Sequence, residues 1–231
     1  MDTTDNPTLS EPPAPHQLLL AQARSISDEE FGLLDVELQG QLLGAVAIEG
    51  ARLAQRANGP NGRAKALDCF ERAISLGEPR FDSLNDDGRM WVLGALADAS
   101  IHHRELNVSP TGLIKALGCY ERASSLCEPR FASLTAFGKA LALRALFNAG
   151  ATCGELDHSP AGRAKALECY ERAAVLGESQ FDSMENDGKA SVLQSLYNAG
   201  MMHRPLGSPT DWAKGIGYYE RAAALGEPGF S

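Results

Sequence analysis

Aromatic residues are scarce in this 231-residue chain, at 6%, and the 21 lysines and arginines are outnumbered by 30 aspartates and glutamates. A formal charge of −9 opposes binding to nucleic acid or anionic membrane, because both recruit surplus cations that replace condensed counterions. No run approaches the ~18 apolar residues of a membrane span, and no basic flank leads into a signal-peptide core at the N-terminus. The expected location is therefore cytoplasmic. Delivery into a host cell by a non-Sec secretion system is the alternative, prompted by the Thr/Ser/Pro-rich residues 1–15. The five cysteines form no CxxC or Cys/His spacing, so no metal site is expected. A glycine-rich phosphate loop, HExxH and GxSxG are all missing, which removes the common signatures of nucleotide, zinc-protease and serine-hydrolase chemistry. His102 and His103 diverge by roughly 100° on a helix and cannot chelate one ion together. The reading is of a protein without catalytic residues or cofactor.

What the chain has in abundance is itself. The words ALDCFERA (Ala66 to Ala73), ALGCYERA (Ala116 to Ala123), ALECYERA (Ala166 to Ala173) and GIGYYERA (Gly215 to Ala222) begin 50, 50 and 49 residues apart. Phe31, Phe81, Phe131, Phe181 and Phe230 keep the same spacing, and Leu34, Leu84, Leu134 and Met184 share another register. Repetition at a fixed period of 20–50 residues marks units that cannot bury their apolar faces alone and must stack on their neighbours. The predicted organisation is a flexible tail over 1–15 and one α-solenoid over 16–231. It comprises a lone N-terminal helix over 16–26 and repeats over about 31–80, 81–130, 131–180 and 181–231.

Each repeat reads as two helices, giving about nine in all. Leu134 to Leu156 places Leu141, Ala145, Leu146, Ala149 and Cys153 at helical spacing, with Ser83, Ser133 and Ser183 as the expected N-caps. Asn58 to Gly62, Asn107 to Gly112, Asp157 to Gly162 and the words beginning at Gly207 read as loops because they carry Pro and Gly. The second helix, about Arg163 to Leu176, shows a narrow stripe of Ala166, Cys169, Tyr170, Ala173 and Leu176. Gly77, Gly177 and Gly226 sit where a left-handed C-cap is expected, and Pro79, Pro129 and Pro228 stop continuation.

These residues carry a resemblance. KALECYERAAVLG (Lys165 to Gly177) resembles the second helix of tetratricopeptide-like repeats, above all the Sel-one-like subfamily with its KAxxWYxKAAxxG pattern, and LYNAG (Leu196 to Gly200) resembles that subfamily's first-helix word. The resemblance spans roughly Leu34 to Gly226, with a period longer than the ~34 residues of tetratricopeptides. It implies an all-α fold, a right-handed solenoid of stacked antiparallel helix pairs whose first helices line a concave groove. It further implies binding: an Asn in the Asn-Ala-Gly word of that family contacts a bound peptide's backbone, a task that suits an amide's donor and acceptor. The matching positions are Asn148 and Asn198, with Asp98 and Ile48 in the other copies. His102, His103, Arg104, Arg144, His203 and Arg204 would add positive character to the same surface.

The expected function is a non-enzymatic scaffold that binds a peptide segment or partner protein in the concave groove, as a bacterial adaptor or a secreted effector; an RNA-binding helical repeat is the alternative. The groove set is Asn148, Asn198, Asp98, Arg144, His103 and His203. The repeated Glu-Arg pairs (Glu71/Arg72, Glu121/Arg122, Glu171/Arg172, Glu220/Arg221) are expected to bridge or cover adjacent units. The C-terminal end lacks a polar capping helix, so the chain is expected to be a monomer or a weak end-to-end homodimer.

Overall fold

The first helix, α1 (Pro15–Ser25), starts at a proline, whose fixed φ and missing N–H suit the first helical position. The computed structural model describes residues 14–56, 59–107, 109–203 and 208–226. The tail expected over 1–15 lies outside them except for Ala14 and Pro15, and so do Asn58, Arg204, Gly207, Pro228 and Phe230. After α1, a capping box between Ser27 and Glu30 fixes a short extra helix, α2 (Asp28–Gly32). Eight longer helices follow: α3 (Val36–Arg56), α4 (Pro60–Gly77), α5 (Asp86–Leu106), α6 (Pro110–Cys127), α7 (Ala136–Leu156), α8 (Pro160–Glu178), α9 (Asn186–His203) and α10 (Pro209–Gly226). There are thus ten α-helices, rather than about nine, and no strand among the described residues. None of these helices is long and apolar enough to cross a membrane.

The helices pack in consecutive pairs. From α3 onward each lies chiefly against its neighbours in the chain, α1 rests on α3, and α3, α5, α7 and α9 also touch one another in turn. Starts at 36, 86, 136 and 186, and at 60, 110, 160 and 209, reproduce the spacing of the sequence words. Phe31, Phe81, Phe131 and Phe181 are all buried in the core, joined by Leu84 and Met184. The stripe predicted for α7 is buried throughout, as are Ala166, Cys169, Tyr170 and Ala173 of α8.

Three local expectations are corrected. The helices α4, α6, α8 and α10 begin at the prolines of the supposed loops, so Pro60, Pro110, Pro160 and Pro209 start structure instead of breaking it. Gly112 and Gly162 lie inside those first turns, where a Cβ would run into the backbone carbonyls of Asn107 and Asp157. The caps of the odd-numbered helices come two residues later than predicted. Asn85 Oδ1 accepts the Gly88 amide at 2.8 Å and Thr135 Oγ1 accepts the Gly138 amide at 3.1 Å. Ser83, Ser133 and Ser183 instead donate to the carbonyls of Arg80, Arg130 and Gln180.

The third correction concerns glycine. Gly77 has φ −93°, and no residue at the ends of α4 or α8 is left-handed. Its reason is space: a Cβ on Gly77 would run into Val92 Cγ2, and one on Gly177 into Val192 Cγ2. In the middle copy the equivalent residues are Cys127 and Ala142, both fully buried, so a larger residue on one helix meets a smaller one on the next.

Candidate functional site

Neighbouring pairs are tied by one arginine per copy. Arg122 pairs with Glu78, Arg172 with Glu128 and Arg221 with Glu178, each reaching back to the preceding copy, and Arg72 reaches Asp28 at the equivalent position. The bridging expected of the Glu-Arg words is therefore made by their arginines, with acids outside the words as partners. Glu71 faces His103 Nε2 at 3.5 Å, and Glu171 accepts the Tyr218 hydroxyl. A second set of cations lies over buried phenylalanines: Arg80 over Phe31, Arg130 over Phe81 and Lys189 over Phe181, with the cation 5.6–5.8 Å from the ring centre. These groups serve the fold and are not free to receive a ligand.

A pocket of about 200 Å³ opens where α5, α6 and α7 meet. Leu93, Ile101, Tyr120 and Leu141 form its apolar walls, and Asp98, Arg144 and Asn148 supply its polar groups. They converge because Asp98 and Ile101 are one turn apart on α5, as Arg144 and Asn148 are on α7. Burial pushes the Asp98 carboxyl above its ordinary value, opposed by the nearby His102 and Arg144 charges. Arg144 is exposed, and among the described residues no ion pair neutralises it beyond the pull of Asp98. The Asn148 carboxamide is half-buried with no hydrogen-bond partner among the described residues. A backbone peptide could use both its donor and its acceptor, and a carboxylate could take the planar fork of Arg144.

Asp98 also borders a second cleft, between α3 and α5, with Ile48 and Trp91. Ile48, Ile101 and Tyr197, on α3, α5 and α9, are each about half exposed, at 46%, 46% and 55%. Large apolar side chains left open along one layer of helices are an interaction signature.

The other predicted residues do not join this pocket. Asn198 lies beside the Tyr170 hydroxyl and draws it downward, against the burial that raises it above its usual range. His103 and His203 are buried at one register position, shared with the buried Cys153 and the half-buried Leu53, instead of lining the pocket. Burial holds the His103 imidazole below its ordinary value, against the pull of Glu71. His203 stacks on Tyr218, 5.7 Å between ring centres and 14° from parallel. His102 rests its Nδ1 on the Asp98 carbonyl, and Arg104 bridges α5 to Glu155 at 2.9 Å. Of the expected cations, Arg144 alone reaches the pocket among the described residues; Arg204 lies outside them.

The apolar walls went unassigned at the level of sequence, although Leu93, Ala97 and Ile101 stand at helical spacing around Asp98. No group of three His, Cys, Asp or Glu side chains among the described residues is placed to hold a metal ion. All five cysteines are buried and unpaired, and burial pushes the thiols of Cys119 to about 11 and of Cys127 and Cys169 to about 12. Protonated thiols of this kind are poor nucleophiles. No family model matches the chain, and no curated protein matches it in sequence.

Proposed function

We propose that this chain is a non-enzymatic peptide-binding scaffold: a right-handed α-solenoid of tetratricopeptide-like repeats whose odd-numbered helices form the concave face. The observation that carries the reading is the pocket in which Asp98, Arg144 and Asn148 meet among Leu93, Ile101, Tyr120 and Leu141. Contact among α3, α5, α7 and α9 supports curvature with that layer inside, since the layer whose members approach each other more closely is the shorter arc. A bound segment would insert an apolar side chain between α5 and α7. Asn148 would hold its backbone, and Arg144 an acidic neighbour. One arginine beside one aspartate gives little attraction to a polyanion, which favours peptide over RNA.

Selection from a displayed peptide library on the full chain tests this. The expected outcome is a consensus pairing one aliphatic residue with an acidic one, and an Arg144→Glu variant that no longer selects the acid. Recovery of no consensus, or of the same acidic consensus on Arg144→Glu, would remove the reading.

A further inference from the structure

The cleft between α3 and α5, of about 300 Å³, is the pocket between α5 and α7 shifted back by one repeat. Ala97, Leu141 and Ala145 of the pocket become Ala47, Trp91 and Ala95 of the cleft. The polar positions are exchanged: Gly94 stands for Arg144, Asp98 for Asn148, and Ile48 where the pocket has Asp98. Trp91, Gly94 and Asp98 share one face of α5 at spacings of three and four. Gly44 seats the indole, since a Cβ there would lie 2.8 Å from Trp91 Nε1. Gly94 has no such packing duty. Nothing lies within 4 Å of where its Cβ would stand, although a glycine in mid-helix costs ~1 kcal/mol against alanine. Its missing side chain leaves the floor of the cleft open.

We infer that this cleft is a second subsite of the same groove and takes a basic side chain of the bound peptide, lysine or arginine, with its stem across Trp91 and its charge on the Asp98 carboxylate. The inference rests on the peptide-binding reading above. Charge complementarity selects the occupant. Gly94 removes the cation that Arg144 supplies next door, and Arg52 at the rim is held by Glu49 through two hydrogen bonds of 2.6 Å. The Asp98 carboxyl, which burial raises, gains from any further positive charge, and an indole face is the best aromatic surface for one. With a base on Asp98 and an acid on Arg144, charges of alternating sign run across both sites. Packed helices lie ~8–10 Å apart and an extended chain advances ~3.3 Å per residue, so the base should fall about three positions from the aliphatic anchor of the α5–α7 pocket.

The probe is a displayed random peptide library, selected in parallel on the full-length protein and on Gly94→Leu, Gly94→Arg and Asp98→Asn. Leucine and arginine are better helix formers than glycine and asparagine matches aspartate in size, so all three variants should keep their circular dichroism. The unmodified protein should select a consensus with lysine or arginine about three positions from the aliphatic residue, beside the acid. Gly94→Leu and Asp98→Asn should lose the basic position and keep the aliphatic one, and Gly94→Arg should exchange the base for an acid. The peptide selected on the unmodified protein should bind Gly94→Leu about tenfold more weakly. An aliphatic and acidic consensus without a basic position would overturn the second subsite and leave the peptide-binding reading standing. A basic position that survives Gly94→Leu or Asp98→Asn would overturn it as well. No consensus on any of the four proteins would remove both.

Discussion

Gly177 and Val192 define how closely α8 and α9 approach, because the valine methyl occupies the space a Cβ would need. Overpacking a filled core forces side chains off their rotamers or moves backbone, at a cost of ~1–3 kcal/mol. Gly177→Ala should therefore lower stability by that amount despite alanine's better helix propensity. Val192→Ala in the same chain should recover part of the loss, as measured by urea unfolding in a double-mutant cycle. Additive effects would mean that the two residues are not in contact. The same logic explains small residues on the first helices: a Cβ on Gly50, Gly150 or Gly200 would meet the rings of Phe70, Tyr170 or Tyr219. Ser100, at that register, turns its hydroxyl back to the Ala97 carbonyl at 2.6 Å.

For the helices themselves, the caps give the sharpest prediction. Asn85→Ala and Thr135→Ala should each cost ~1 kcal/mol, while Ser83→Ala and Ser133→Ala should cost distinctly less, read as shifts in thermal midpoint. A larger effect at the serines would contradict the assigned helix starts. Much of this level was legible beforehand. Helical spacing gave the α7 stripe, and repetition gave the register of Phe31, Phe81, Phe131 and Phe181. The starts are not legible there because Pro and Gly read as breakers, whereas Pro60, Pro110 and Pro160 sit at the first helical position, where no N–H is needed. The site was legible only in part. Asp98, Arg144 and Asn148 could be picked out, but Asn198, His103 and His203 share residue type or register with groove candidates while facing Tyr170 or the core. Which way a helix turns that register depends on packing against its neighbours, and the period alone does not contain it.

Over the whole molecule, each helix pair touches chiefly the pairs beside it, and one arginine per copy reaches back to an acid of the copy before. These pairs are partly exposed, so each adds little, on the order of 0–1 kcal/mol. Burial of apolar surface between pairs carries the stability. The buried cysteines repeat through the chain and give it a common alkaline weakness. Their folded-state thiols are raised, with Cys119 at about 11 and Cys127 and Cys169 at about 12, above the ordinary value of 9.0. Between those limits the unfolded chain has lost protons that the folded chain retains, so stability falls as pH rises from about 9 to about 12. Urea midpoints should decline across that window, and less steeply in Cys127→Ala. A flat profile would show that the thiols are not buried as described.

The central claim is that the surface between α5 and α7 holds a peptide through Asn148, whereas Asn198 lies beside the buried Tyr170 and outside that pocket. The most direct measurement is the affinity of a library-selected peptide for the unmodified protein, Asn148→Ala and Asn198→Ala, with equal helicity confirmed for all three. The account predicts about tenfold weaker binding for Asn148→Ala, the loss of ~1.4 kcal/mol, and a change below about twofold for Asn198→Ala. Equal affinities, or the larger loss at Asn198, would contradict it.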